Sequence, residues 1–362
     1  MPGKSRILLI GMFPPPVCGM TVITEKVCEQ ISSVLEVKLV KLSGHGRFAL
    51  LKKMIGVVKG AGIILFRKRL GVDRLYMPMD GGFGRYLCLL LIVLMRLRGG
   101  HIYLHHHSWS YISKKCWCMA VINSMVDRCG AHIFLCETMR VEFAKTYGKT
   151  CKSIIISNSS FINTPSTLKR KSDRNLTIGH LSNLSIEKGL DAVVNVFKLL
   201  KDEGASVRLV LAGPASDRSS RKIIDNVRLM YKESVTYLGP VYDQEKVDFF
   251  RKIDVFLFPT RYKLEAQPLV VFEALHSGTP VIAYARGCID SQIMQQGGYA
   301  INPNSCFEQK ALAIIRRIST NLDELNQTLV EAYRQSKLLK AEHRGDLEQL
   351  LAILQAGAGK TV

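Results

Sequence analysis

Apolar residues recur along this chain in short runs that are separated by longer amphipathic segments. The runs at 7–10, 255–258 and 281–285 are almost entirely aliphatic or aromatic, which is typical of buried parallel strands. The segments between such runs carry apolar residues at the three- and four-residue spacing of helices that pack on a sheet. This alternation of strand and helix predicts an α/β protein whose parallel sheets are covered by helices on both faces.

The alternation is interrupted at residues 164–175, where the sequence is polar and basic and contains a proline. We place the domain boundary in this linker, which predicts an N-terminal domain at 1–165 and a C-terminal domain, ending in helices, at 166–362. A chain of 362 residues is long enough for two such domains. In the second domain we expect strands near 176–181, 207–213, 235–239, 254–259, 281–285 and 299–302.

The stretch 254–285 combines two of these strands with a helix between them. Its first apolar run ends at Pro259-Thr260, and a polar loop follows. Pro268 stands at a plausible first helical position, and the helix is expected to stop at Gly278. The pattern predicts strand, loop, helix and strand, with one carboxylate in the loop and another in the helix.

Those two carboxylates are Glu265 and Glu273, which the helical rise separates by roughly 8 Å or more. Between them lie the N–H groups of the helix N-terminus, near Leu269 and Val270, which attract a phosphate. A nucleotide sugar matches this order, with ribose on Glu273, diphosphate at the amides and sugar hydroxyls on Glu265. A surface glutamate beside a solvated helical glutamate is the structural alternative.

The segment P-T-R-Y-K-L-E-A-Q-P-L-V-V-F-E-A-L-H-S-G-T-P-V-I-A resembles the signature of retaining GT-B glycosyltransferases of the family 4 type, the glycosyl transferases group 1. The resemblance implies a GT-B fold, with two doubly wound Rossmann-like domains facing a cleft. It also implies that Glu265 faces the donor sugar, that Glu273 faces the ribose and that the anomeric configuration is retained.

The loop 179–189 supplies the candidate phosphate contacts. Lys188, near a helix N-terminus, can hold a diphosphate as a point charge. Many members of the family have Arg at the position of His180, so we expect either His180 or Asn183 to substitute for it, or a weaker hold on the phosphate. The family further implies that no metal cofactor is required, because Lys188 and helix dipoles neutralise the leaving diphosphate.

The N-terminal half offers two further candidates. A strand runs into a glycine loop and a helix at Gly19, a Rossmann-type opening that resembles the first loop of GT-B transferases, although a simple turn is an equal alternative. A second strand ends in His105, His106 and His107. A histidine there commonly reaches the donor sugar in this family; His107 or His105 matches best, and the pleat predicts that these two share a face.

Positive charge is concentrated in the first 160 residues, which carry 23 Lys and Arg against 8 Asp and Glu. We find no nucleic-acid motif, so an anionic membrane surface is the preferred partner. The basic amphipathic stretch 48–70 is the candidate contact, because anionic lipid attracts its lysines and arginines. The ten cysteines show no C-x-x-C pair, and no secretory signal is evident, so we expect a reducing cytoplasm and peripheral attachment to the membrane.

These features predict a glycosyltransferase that moves a sugar from a nucleotide sugar to a glycan or lipid-linked acceptor in polysaccharide or glycoconjugate biosynthesis. A nucleotide-sugar 2-epimerase on the same fold is the first alternative, but it needs additional acid–base carboxylates near the sugar. A non-catalytic partner that kept the fold is the second. The presence of Glu265, Glu273 and Lys188 together argues against it.

Overall fold

A computed structural model describes most of the chain and divides it into two compact units. The first unit contains the chain up to Phe161 and again from His343, and the second is Ile162–Glu342. Within the predicted linker, residues 164–167 and 174 lie outside the described residues. The described ranges are 6–15, 17–42, 49–79, 81–82, 84–148, 150, 152–162, 168–173, 175–293, 297–319 and 321–356, without the side chains of 127–129.

The first unit is built on a six-stranded sheet in the order β2-β1-β3-β4-β5-β6, and its strand pairs are parallel. Its strands are β1 Arg6–Gly11, β2 Glu36–Lys41, β3 Val72–Met79, β4 His101–His106, β5 Gly130–Phe134 and β6 Ser153–Ile155. Its helices up to the unit boundary are α1 Gly19–Val34, α2 Ala49–Leu65, α3 Arg67–Leu70, α4 Gly84–Leu97, α5 Ser110–Ser113, α6 Trp117–Cys129 and α7 Glu137–Tyr147.

The second unit is built on a six-stranded parallel sheet in the order β12-β11-β10-β7-β8-β9. Its strands are β7 Leu176–Leu181, β8 Val207–Ala212, β9 Val235–Tyr237, β10 Val255–Phe258, β11 Val281–Tyr284 and β12 Gly298–Ile301. Its helices are α8 Leu190–Asp202, α9 Arg218–Tyr231, α10 Asp243–Lys252, α11 Leu269–His276, α12 Ile289–Ile293, α13 Phe307–Ile318 and α14 Leu322–Glu342. The strands predicted for this half are all present.

Strand β10 shows why the central strands have continuous apolar sequences. Val255 and Leu257 belong to the hydrophobic core on one face of the sheet, which includes α8 and α13. Phe256 and Phe258 belong to the core on the other face, with residues of α11. Successive side chains of a strand point to opposite faces, so a strand between two helical layers needs an apolar residue at every position.

The order of strands reverses once in each sheet. In the second sheet the reversal lies between β7 and β10, and in the first sheet it lies between β1 and β3. Open α/β sheets bind ligands outside the carboxyl ends of the strands at such a point. The loops after β7 and β10 carry Lys188 and Glu265, so the topology brings these two candidates to one place.

The last helix corrects the predicted domain assignment. Helix α15 (Asp346–Ala356) was expected to complete the second domain, but it packs with the first unit. Arg74 donates a hydrogen bond to the carbonyl oxygen of Gln355 at 3.1 Å, and the Tyr103 hydroxyl donates to that of Ile353 at 3.2 Å. These bonds satisfy carbonyl groups in the last turns of α15 that have no partner within the helix.

Two further observations concern the length of the helices and the state of the cysteines. No helix in the described ranges has the length and apolar character needed to cross a bilayer. Cys88 and Cys118 are buried free thiols, as expected for small apolar side chains, whereas Cys136 and Cys288 are disulfide-bonded, contrary to the expectation of reduced cysteines.

Candidate active site

The loop between β10 and α11 holds Glu265 in a fixed position. The backbone N–H of Cys288 donates to the carbonyl oxygen of Ala266 at 2.7 Å. Gly287, with a φ of +58°, permits this approach, because a Cβ there would lie 2.4 Å from the carbonyl oxygen of Glu265. A larger residue at Gly287 would therefore displace the loop that carries the carboxylate.

The carboxylate of Glu265 is the centre of a small polar cluster. Its Oε2 accepts a hydrogen bond from Lys188 Nζ at 2.5 Å and one from Thr260 Oγ1 at 3.2 Å. The Lys188 ammonium also lies 4.4 Å from the centre of the Tyr262 ring. The side chains of Glu265 and Lys188 are 12% and 22% exposed, so the ion pair is partly shielded from water but can still be reached by a ligand.

The loop after β7 is joined directly to the loop after β10. The backbone N–H of Arg261 donates to the carbonyl oxygen of Glu187 at 2.8 Å, and the Arg261 guanidinium binds both carboxylate oxygens of Asp191. Gly189 has a φ of +85°, and a Cβ there would lie 2.4 Å from the carbonyl oxygen of Pro259. These contacts hold Lys188 against Glu265, although the two residues are far apart in sequence.

Glu273 lies in α11 and has a lysine partner that the sequence did not reveal. Its Oε1 accepts a hydrogen bond from Lys246 Nζ of α10 at 2.6 Å. Its Oε2 is buried and has no hydrogen-bond partner among the residues that the structure describes. A buried acceptor without a donor is unfavourable, so a ligand hydroxyl at this position would be stabilised.

The N-terminus of α11 lies between the two glutamates in sequence. Pro268 is the N-cap and makes no side-chain capping bond, while its carbonyl oxygen accepts a bond from Gln292 Nε2 at 3.0 Å. The N–H groups of Leu269 and Val270 belong to the first turn, which has no acceptor within the helix. These amides and the helix dipole can bind an anion.

His180 does not fit the phosphate role that was expected of it. Its side chain is fully buried, its Nδ1 donates to the carbonyl oxygen of Leu257 at 2.8 Å, and its Nε2 accepts from Ser182 Oγ at 2.9 Å. Burial lowers its pKa to about 4, so the ring is neutral at physiological pH. Both ring nitrogens are thus occupied inside the protein, and the exposed Asn183 is left as the candidate for the additional phosphate contact.

Three candidate residues, Gly19, His105 and His107, belong to the first unit. The rings of His105 and His107 lie 4.1 Å apart, which confirms that they share a face. His106 instead bonds Tyr111 and His132 in the buried core. His105 Nδ1 is bonded to the Tyr76 hydroxyl at 2.5 Å. The Nε2 atoms of His105 and His107 are both buried and lack a partner in the described part of the chain.

Burial lowers the pKa of His107 to about 3, so His107 is a neutral hydrogen-bonding group rather than an acid. Gly19 is the exposed first residue of α1. Among the described residues there is no cluster of three or more His, Cys, Asp or Glu side chains that could hold a metal ion.

Comparison with known proteins agrees with the resemblance of the second unit. The family model described as glycosyl transferases group 1 matches residues 166–336. The chain is 29% identical over 114 residues to mannosylfructose-phosphate synthase of Agrobacterium fabrum, covering 30% of this chain and 25% of that protein. It is 26% identical over 156 residues to the capsular polysaccharide biosynthesis glycosyltransferase CapM of Staphylococcus aureus, covering 43% of this chain and 39% of that protein.

The fold resembles that of HepE of Anabaena, which was solved in complex with UDP and glucose. The TM-score is 0.67 at 16% identity, and the match covers 97% of this chain and 100% of that chain. Such a likeness establishes the fold, which is GT-B, and confirms the predicted fold class. The aligned regions span two fifths or less of the two curated relatives.

Proposed function

We propose that this chain, whose residues 166–336 belong to the glycosyl transferases group 1 family, transfers a sugar from a nucleotide-diphosphate donor to a glycan or lipid-linked acceptor. The proposal covers retention of the anomeric configuration and a role in polysaccharide or glycoconjugate biosynthesis. The role of CapM in capsular polysaccharide biosynthesis and the UDP bound to HepE support it.

One observation carries the proposal. Two partly buried carboxylates, each paired with a lysine, flank the uncapped N-terminus of α11 in sequence. A nucleotide sugar presents hydroxyls at both ends and a double negative charge between them. The arrangement offers acceptors for the hydroxyls and positive groups for the diphosphate, in the matching order.

Each candidate group has a part in the proposed reaction. The bond from the sugar C1 to the diphosphate oxygen breaks while the acceptor hydroxyl oxygen bonds to C1, and the hydroxyl proton passes to the leaving diphosphate. Lys188, released from Glu265, and the amides of Leu269 and Val270 stabilise the negative charge on the leaving diphosphate. Glu265 and His107 hold sugar hydroxyls, and Glu273 holds the ribose. In this proposal positive side chains and amides take the place of a metal, so a chelator should leave turnover unchanged.

We place the reaction at the cytoplasmic face of a membrane, with the first unit docked peripherally and a lipid-linked acceptor presented to it. The support is the excess of Lys and Arg in residues 1–160 and the basic stretch 48–70, of which Phe48 lies outside the described residues. Positive charge near anionic lipid is attracted over about one Debye length, roughly 10 Å at moderate salt.

The experiment is a panel of nucleotide sugars tested for thermal stabilisation, followed by product analysis with the donors that bind. Glycosyl transfer or slow donor hydrolysis to the free nucleotide is the expected outcome. An epimerised donor, with the nucleotide still attached, would show that the 2-epimerase alternative is correct. Binding without turnover across a panel of acceptors would favour the non-catalytic partner. If no donor raises the melting temperature, the proposed donor site is wrong.

A further inference from the structure

Helix α2 has apolar residues on two faces, and only one of these faces is buried inside the protein. Val57 and Ile64 are buried, and Gly60 lets the helix approach the sheet, because a Cβ there would lie 2.8 Å from Ile10 Cδ1. The outward side carries large apolar side chains that are 44–68% exposed. They are Leu50, Leu51, Met54, Ile55, Val58, Leu65 and, just after the helix, Phe66. A contiguous exposed apolar surface of this kind marks an interaction site.

A groove runs beside this surface, between α2 and the edge strand β2. It has a volume of ≈ 460 Å³, and Lys41, Lys52 and Lys59 line it together with Ile55 and Gly56.

No carboxylate that the structure describes neutralises the three lysines of the groove. No ion pair joins Lys41, Lys52 or Lys59 to a carboxylate in the described part of the chain. All three side chains belong to exposed residues, and the sequence from 49 to 70 contains no Asp or Glu. Like charges that converge without a counter-ion attract an anion from outside the molecule.

The neighbouring helices of the first unit also carry exposed apolar side chains. Helix α4 packs against α2, and α6 packs against α4. Leu90 and Leu97 of α4 are 49% and 77% exposed, and Trp117 at the start of α6 is 64% exposed. Exposed aliphatic and tryptophan side chains beside basic residues are typical of a surface that enters the boundary between lipid headgroups and acyl chains.

We infer that the groove between β2 and α2 binds the phosphate of an anionic phospholipid, while Leu51, Ile55 and Val58 enter the bilayer surface beside it. Charge complementarity selects the phosphate, and the exposed aliphatic surface selects a lipid over a nucleic acid, whose exterior is charged. The inference deepens the membrane partner of the proposed function, but the lysine groove and the apolar surface support it without reference to the donor site.

The test is co-sedimentation of the full chain with vesicles of phosphatidylcholine alone, or with about a third phosphatidylglycerol, at low and high salt. We expect binding to the anionic vesicles that weakens with salt. Replacing Lys41, Lys52 and Lys59 by Gln should weaken it about a hundredfold, since each lysine near an anionic surface contributes about fivefold. The matched control replaces the exposed Lys222, Lys232 and Lys252 of the second unit by Gln and should bind almost as the wild type does.

A second pair of variants tests the apolar contribution. Leu51→Gln with Val58→Gln should reduce vesicle binding at high salt, whereas Leu229→Gln with Met230→Gln, on the exposed end of α9, should not. Equal binding to neutral and anionic vesicles, equal loss in the lysine variants and their control, or binding to an oligonucleotide in preference to vesicles would overturn the inference. Calorimetric titration with UDP, which the groove variants should leave unchanged, separates this failure from a failure of the proposed donor site.

Discussion

The lysines of the candidate active site and the lysines of α2 differ in what neutralises their charge. Lys188 and Lys246 each lie within 2.6 Å of a carboxylate oxygen, and both side chains are less than one third exposed. Lys52 and Lys59 are exposed and have no carboxylate partner in the described part of the chain. The first pair is held in place before a ligand arrives, whereas the second can only be neutralised from outside.

This difference predicts two kinds of binding. A site whose charges are already positioned by partners loses little entropy on binding and discriminates by geometry. A surface of unpaired charges attracts anions over a longer range, with little geometric selection and with strong sensitivity to salt. The following experiments test whether the two regions behave in these two ways.

The largest effect is expected at Glu265. Replacing it by Gln keeps the shape of the side chain but removes the negative charge that pairs with Lys188. Loss of such a positioning contact should lower turnover by about a hundredfold, with a smaller change in nucleotide affinity. Steady-state kinetics with the donor found in the panel measures both quantities. An unaltered turnover number would exclude Glu265 from the site.

The next effect is expected at Lys188. Lys188→Ala should weaken donor binding or transition-state stabilisation by on the order of 2 kcal/mol, about thirtyfold, because a charge-assisted contact to the diphosphate is lost. Lys222→Ala in α9 is the matched control, because it removes the same charge from an exposed position of the same unit. The role of Lys188 is excluded if both variants retain the kinetics of the wild type.

A smaller effect should distinguish the role of Glu273 from that of its partner, Lys246. Glu273→Ala should weaken nucleotide binding about tenfold, because the ribose loses an acceptor. Lys246→Met should weaken it less, since Lys246 only orients that acceptor. The variant Lys246→Met should also lower the free energy of unfolding more than the double variant Lys246→Met/Glu273→Gln, because the single change leaves a partly buried charge unpaired. Denaturant titration of the two variants measures this order, and the reverse order would contradict it.

The smallest effect is a loss of stability at acidic pH, and this loss should differ between the two units. Burial lowers the pKa of His132 to about 3 in the first unit and that of His180 to about 4 in the second. Folded histidines with pKa values below the unfolded value of about 6.5 contribute full stability above that pH and lose it as the pH falls towards the folded pKa. Each should therefore lose about 1 kcal/mol of stability by pH 5.5.

His105 and His106 are also fully buried, so the first unit contains more such groups among the described residues than the second, where His276 joins His180. Hydrogen exchange at pH 7.5 and 5.5 should show a larger loss of protection in the sheet of the first unit. Equal losses in the two sheets would contradict this difference.

The second unit could be predicted in detail because its buried strands and its glycine and proline positions are visible in the sequence. The run before Pro259 gave β10, Pro268 marked the start of α11, and Gly278 marked its end. Contacts between residues that are far apart in the sequence were harder to predict. Lys246 comes from the preceding helix, and no local pattern shows which side chain of α10 faces α11.

Other features depended on tertiary packing. The burial of His180 follows from the central position of β7 between β10 and β8, which its own sequence does not reveal. The assignment of α15 to the first unit depends on its contacts with Arg74 and Tyr103, from the opposite end of the chain. The basic character of α2 was evident from the sequence, but its exposed apolar side became visible only when Val57 and Ile64 were found buried against the sheet.

The central claim is that the second unit binds a nucleoside diphosphate between Lys188, the amide groups of α11 and Glu273. The direct measurement is calorimetric titration of UDP, GDP and ADP into the wild type, Lys188→Ala, Glu273→Ala and the control Lys222→Ala. We expect saturable binding of at least one nucleotide by the wild type and the control, weakened about tenfold or more in the two site variants. No saturable binding to the wild type, or equal affinity in all four proteins, would contradict the claim.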